Sequence, residues 1–212
     1  MYILAQSWQP AFCYHKEQQY PGCHTPETYW RSHLTLHGLW PERYNLIPPS
    51  FCTDEAFDAN KIERAVGIET LHQYWPDVKY RVTSRKYTDF WKHEWTRHGT
   101  CSGLKQVEYF TYAIDLERNE TLAPTPQIVQ DNIGGYVDAK ILRKAFGEAA
   151  LVCEKVHGNN NGTMFLQVFT CWEKDEHNVP IRRRACPAHI HSEDTCGTGI
   201  VAIPAFRALD SN

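Results

Sequence analysis

The stretch Phe90-Trp91-Lys92-His93-Glu94-Trp95-Thr96-Arg97-His98-Gly99 reads as a helix that a glycine stops. At about 100° per residue, His93, Glu94, Arg97 and His98 fall within about 140° of arc, with Phe90 in the same sector and Trp95 directed elsewhere. One face then carries two imidazoles, a carboxylate and a guanidinium. Glu94 and Arg97 alone, three residues apart, would be an ordinary solvated ion pair. Two histidines beside that pair favour a chemical site. The segment superficially resembles the HExxH zinc-protease motif, but His93 and His98 are five residues apart, about 140° around a helix, and no third ligand is evident. The zinc reading is therefore rejected, and no metal ligand or cofactor is assigned.

Two imidazoles, a carboxylate and a cation suit phosphoryl transfer. One imidazole removes a proton from the attacking oxygen, another protonates the leaving oxygen, and the cation stabilises the phosphorane-like charge. RNA carries its own nucleophile, the ribose 2′-hydroxyl, so no metal is required, and imidazole titrates near neutrality. Among eleven histidines the best second partner is His37, in Leu34-Thr35-Leu36-His37-Gly38-Leu39-Trp40-Pro41. There an imidazole sits between a strand and a glycine turn, with rigid support and an open side. A buried His bonded to backbone is equally compatible with that segment alone. Trp40, Tyr44 and Phe90 are candidates to stack on unpaired bases, which favours single-stranded RNA, and Glu42 is a candidate acceptor for an exocyclic amine. Core packing is the competing fate of each ring, and an exposed surface position that of Glu42. His189 and His191 are read as exposed loop histidines able to take adventitious metal.

The rest of the chain bounds these readings. With 212 residues and 42% hydrophobic content, it can bury a substantial core, which excludes disorder. A formal charge of −3 argues against bulk coating of a polyanion but allows a local grip on a few phosphates. Seven Trp and eleven Tyr imply either an aromatic core or a stacking surface. Eight cysteines at irregular spacing (Cys13, Cys23, Cys52, Cys101, Cys153, Cys171, Cys186 and Cys196), without one CxxC pair, indicate disulfides of an oxidising compartment rather than zinc. The sequons at Asn119 and Asn161 agree with secretion. No stretch has the length of a membrane helix, so no membrane partner is expected, and nothing suggests an obligate oligomer. The N-terminus lacks a signal-peptide run, so Met1 is expected to replace a removed signal or mark the edge of an expressed segment.

Strands are expected at Tyr2–Ser7, around Thr35–Pro41, and at Leu151–Val156 and Met164–Trp172; helices are expected at Asp54–Tyr74, Tyr87–Gly99, Val107–Arg118 and Asp138–Ala150. Phe12–Ser32 reads as a stapled loop. This is an α+β fold, a central antiparallel sheet packed with helices, and a single domain over 1–212 without repeats.

His37-Gly38-Leu39-Trp40-Pro41 followed by His93-Glu94-Trp95-Thr96-Arg97-His98-Gly99-Thr100-Cys101 resembles the two active-site segments of the ribonuclease T2 family. The resemblance extends to Trp8, Cys13, Phe90-Trp91 and the cysteine-bearing C-terminal strands. It implies cleavage of RNA through a 2′,3′-cyclic phosphate in a secreted, lysosomal or vacuole-like setting. His37 matches the general acid, His98 the general base, Glu94 the residue that stabilises the transition state beside a cation, and His93 a phosphate-binding His. Trp40 matches a base-stacking residue, and Phe90 an aromatic near the second base. The family usually has Lys where this chain has Arg97. The implied disulfides are Cys13–Cys23, Cys52–Cys101, Cys153–Cys196 and Cys171–Cys186. Two other functions compete: a binding protein that keeps the fold, and a metallohydrolase, which alone would lose activity to a chelator.

Overall fold

The computed structural model describes residues 1–44, 47–156 and 162–207. Its strands are β1 (Tyr2–Ser7), β2 (Thr35–Pro41), β3 (Tyr136–Asp138), β4 (Ala150–Lys155), β5 (Thr163–Lys174), β6 (Pro180–Arg184) and β7 (Ile200–Ala202). Its helices are α1 (Gln9–Phe12), α2 (Pro21–His24), α3 (Ala59–Val66), α4 (Ile68–Tyr74), α5 (Asp89–Arg97), α6 (Gln106–Arg118), α7 (Gln127–Gln130), α8 (Ala139–Ala145) and α9 (Ala188–His191). The fold is α+β. One sheet runs β2-β1-β5-β7-β3, with β4 and β6 also pairing along the long β5. The pairings are antiparallel except β5 with β7, which is parallel, so the sheet is mixed. Strands β3 and β7 are three residues each and too short to leave a readable alternation, and β6 is a Pro-Ile-Arg-Arg-Arg edge whose polarity hides it.

The helical expectation over Asp54–Tyr74 is two helices. Asp58 caps α3 by accepting from the Lys61 N–H at 3.0 Å, and Gly67, at φ 92°, breaks the run before α4. Residues 54–57 are not helical. Phe12–Ser32 holds the single turns of α1 and α2 and a 3-10 turn at Tyr29–Arg31, closed by Cys13–Cys23. All four disulfides have the pairing the resemblance implies, and no cysteine is free among the described residues. Asn119 follows α6, exposed, with its side chain in a local turn to Thr121; Asn161 lies outside the described residues.

Six of the seven tryptophans are core. Trp75, Trp91, Trp95 and Trp172 pack with Tyr2, Leu4, Leu36 and Leu39 under α3 to α6, while Trp8 joins Leu34, Phe146, Phe165 and Val168 in a second cluster. Trp30 packs with the Cys13–Cys23 bridge. Every indole N–H has an acceptor, as burial demands. Trp40 alone is half-buried.

Glu117 of α6 is 3% exposed and accepts from the Gln6 side chain of β1 at 3.0 Å. Burial holds its carboxyl well above 4.5, with the Gln6 bond opposing. Its contribution to stability is therefore whole below about pH 4.5 and is lost as pH rises toward the native value. Glu117→Gln is expected to match the parent in Tm near pH 4 and to exceed it increasingly from pH 5 to 8; a pH-independent difference in thermal melts would contradict this.

Candidate active site

His37 is the extra residue of a β-bulge. Ala5 faces Gly38 and Gln6 faces Leu36, so His37 has no partner on β1. In a regular strand residues 37 and 40 would emerge on opposite faces. The bulge shifts the phase, and His37 and Trp40 become the two half-buried positions of β2, meeting edge to face with centroids 5.1 Å apart. The Trp75 indole donates to the His37 carbonyl at 2.9 Å, and Trp91 donates to the Trp75 carbonyl at 2.8 Å. The buried aromatic core thereby holds the bulge.

Helix α5 brings the second group. His98 is the residue after its last turn, its N–H bonded to the Glu94 carbonyl at 3.0 Å, and Cys52–Cys101 ties down the following 3-10 turn. Glu94 points inward at 1% exposure, whereas His93 and Arg97 are exposed. The Trp40 Nε1–H donates to Glu94 Oε2 at 2.8 Å, and His37 Nε2 lies 3.9 Å from Glu94 Oε1. His98 stacks on the Trp40 indole, centroids 5.2 Å apart and planes at 27°, and Phe90 lies 5.6 Å from His37. Trp40 is thus a hub that touches both imidazoles and the carboxyl, a role its sequence position did not suggest. Gly38 is required by this closeness: a Cβ there would sit 2.2 Å from Glu94 Oε2 and 2.3 Å from Trp40 Nε1.

Electrostatics follow from burial. It raises the Glu94 carboxyl to about 8, against the Trp40 hydrogen bond and the Arg97 charge. It lowers His37 to about 4, with the Gln167 side chain opposing and His93 and Lys79 adding to the effect. It lowers His98 to about 3, helped by the charges of Arg97, His93 and His37, and lowers His93, helped by Arg97. His37 Nδ1 is buried without a regular hydrogen-bond partner. The free site accordingly favours neutral imidazoles beside a neutral carboxyl at mildly acidic pH.

Two cavities share His37, His93 and Glu94 as a common wall. One, of about 430 Å³, is lined by Phe90 with Gln9, Lys79 and Gln167; the other, of about 1090 Å³, by Trp40, Glu42, Arg97, His98, Phe169 and His189. Glu42 is buried rather than a surface residue, and its Oε1 accepts the Arg43 N–H at 2.7 Å. His189 stands on the turn α9, half-buried with Nε2 3.8 Å from Glu42 Oε1, not on an exposed loop; His191 is exposed. Tyr44 lines neither cavity. The chain leaves β2 at Pro41 and turns, which leaves the Tyr44 ring 60% exposed under the Arg184 guanidinium. Gln9, Gln167 and His189 were missed because nothing local marks them: each comes from a different element and meets the site only on folding. Among the described residues no group of three or more His, Cys, Asp or Glu is placed to hold a metal ion.

Residues 1–181 match the model of the ribonuclease T2 family. The chain belongs to that family. It is 28% identical over 211 residues to Ribonuclease MC of Momordica charantia, covering 93% of this chain and 97% of that protein. It is 35% identical over 121 residues to Ribonuclease T2-A of Mus musculus, 54% of this chain and 40% of the mouse protein, so the match spans less than half of that relative. A solved point variant of RNase MC1 in complex with 5′-GMP superposes with a TM-score of 0.72 at 25% identity, covering 95% and 98% of the two chains.

Two outcomes are expected. Gly38→Ala breaks the Trp40–Glu94 contact and destabilises by about 1–3 kcal/mol in denaturant melts. In the free protein the His37 and His98 rings, followed by NMR, titrate near 4 and 3; a midpoint near 6.5 for either contradicts the buried geometry. Because both values lie below the ordinary 6.5, their contribution to stability is whole above that pH and lost as pH falls through 4 and 3.

Proposed function

We propose that this chain is a single-domain, monomeric endoribonuclease that cleaves single-stranded RNA through a 2′,3′-cyclic phosphate without a metal. The observation that carries the reading is the pair of imidazoles set against one indole, with the Glu94 carboxyl between two cavities. Family membership and the nucleotide bound to the RNase MC1 variant support it. His98 takes the proton of the 2′-hydroxyl, whose oxygen attacks phosphorus. His37 gives its proton to the departing 5′-oxygen, which leaves as a hydroxyl. Glu94, neutral in the free site, donates to a non-bridging oxygen, and Arg97 and His93 balance its charge. Arg97 replaces a compact point charge with a planar fork at the edge of α5, where the exposed side chain has room to adapt.

The roles order the substrate along the cleft. His98 and Trp40 border the larger cavity, so the nucleotide carrying the attacking hydroxyl belongs there. His37 and Phe90 border the smaller one, which receives the nucleotide bearing the leaving oxygen. Glu42 lines the larger cavity and would face its base. Four disulfides and a lack, among the described residues, of any helix able to cross a membrane support a secreted or vacuole-like location.

Incubation with an RNA oligonucleotide in excess EDTA, with mass analysis of the ends, tests the reading. Cyclic-phosphate products are expected, reduced about 10²- to 10⁴-fold in His37→Ala and His98→Ala. No cleavage at any pH would favour a binding protein, and cleavage only with added metal a metallohydrolase. Arg97→Lys should stay within about tenfold of the parent. The base must be neutral and the acid protonated, so the lowered imidazoles place the kcat/KM maximum below about pH 5, with a fall toward neutrality as His37 loses its proton.

A further inference from the structure

Cross-strand pairing carries the face of the large cavity beyond its rim. Trp40 pairs with Ile3, Ile3 with Cys171 and Cys171 with Arg184, so these side chains share one face of β2, β1, β5 and β6 in turn, with Ile3 and Cys171 buried in a cluster with Ile190 and Cys186 and Arg184 at the far rim. Ile3, Trp40 and Phe169 line the cavity, and Phe169 meets Trp40 edge to face at 5.3 Å. Arg184 stands three strand spacings from Trp40, about 14 Å.

The cations around Arg184 are mostly engaged. Arg182 is bound to Glu173 at 2.6 Å, Arg183 donates to the Phe146 carbonyl, and Lys174 donates to the Asn178 side chain at 2.5 Å. Arg184, like Arg183, is bound only to backbone, its Nε donating to the Ala185 carbonyl at 3.3 Å. It differs in what it faces: its guanidinium lies 5.9 Å from the Tyr44 centroid, and its nearby carboxylate, Glu173, is bound to Arg182. Tyr44 is 60% exposed, and Arg43 beside it is exposed as well. An aromatic ring in water, backed by a guanidinium bound only to backbone and adjoining a second Arg, has the makings of a single-strand platform: the ring takes a base, the cations a phosphate.

We propose that Tyr44 and Arg184, with Arg43, form an outer subsite for the RNA nucleotide 5′ to the one in the large cavity. The proposal rests on the endoribonuclease reading and adds a direction to it. The large cavity holds the nucleotide that supplies the 2′-hydroxyl, so the chain beyond Trp40 on this face continues toward the 5′ end. It would also give a chain of net charge −3 a local grip on a polyanion, through two arginines beside one exposed ring.

The test compares a dinucleoside monophosphate with trinucleotides extended by one residue at the 5′ or the 3′ end, the cleaved step held constant. Expected is an increase in kcat/KM of about tenfold for the 5′ extension, carried by KM, with a log-log salt slope steeper by about 0.7 for the added phosphate contact. The 3′ extension should bring no such gain. Tyr44→Ala and Arg184→Gln should erase the 5′ gain and leave dinucleotide cleavage unchanged, since neither side chain lines the cavities. A wild-type protein indifferent to the 5′ residue, or variants that keep the gain, would overturn the subsite while leaving the endoribonuclease reading intact. Failure of the wild-type protein to cleave any of the three would overturn both.

Discussion

The hydrogen bond from the Trp75 indole to the His37 carbonyl is the contact on which the site depends. A β-bulge exposes backbone groups that a regular ladder would satisfy, and it persists only where the surroundings supply other partners. Here the partner comes from the end of α4, and Trp91 of α5 secures Trp75 in turn. Two helices and a strand are thus joined through indoles deep in the core. Because the bulge sets the phase of β2, it decides that His37 and Trp40 share a face.

The second consequence is electrostatic. The core that pins the bulge also desolvates Glu94, His37 and His98, pushing the acid up and the bases down. Each shift favours the uncharged form, so the resting site avoids the cost of buried unpaired charge. In the endoribonuclease we propose, a bound phosphodiester would bring the missing anion and make protonated imidazole favourable where it was not. Gly38 belongs to the same arrangement, since only a missing Cβ lets the β2 backbone approach the Trp40–Glu94 bond so closely.

Local order was legible where chain and neighbours agree. The run Val107–Arg118 reads as a helix because its apolar spacing faces one core, and β1 because its β-favouring residues run without interruption. Gly67 was a weak signal inside a helical pattern, and only its left-handed conformation shows that the helix breaks there. The short β3 and β7 take their identity from pairing alone. At the site, the face shared by Glu94, Arg97 and His98 follows from helical period, but burial of Glu94 with exposure of Arg97 depends on what α5 packs against.

The sequence by itself determined the α+β class, the oxidised cysteines and, through two motifs, the family. Those properties reside in composition, period and chemistry, which are local. Tertiary structure alone decided that Trp40 bridges both imidazoles to Glu94, that Tyr44 leaves the cleft for Arg184, and that His189 meets Glu42. Apart from the short His37–Trp40 contact, which the bulge creates, each joins residues tens of positions apart or more, fixed by strand register and burial rather than by neighbours in the chain.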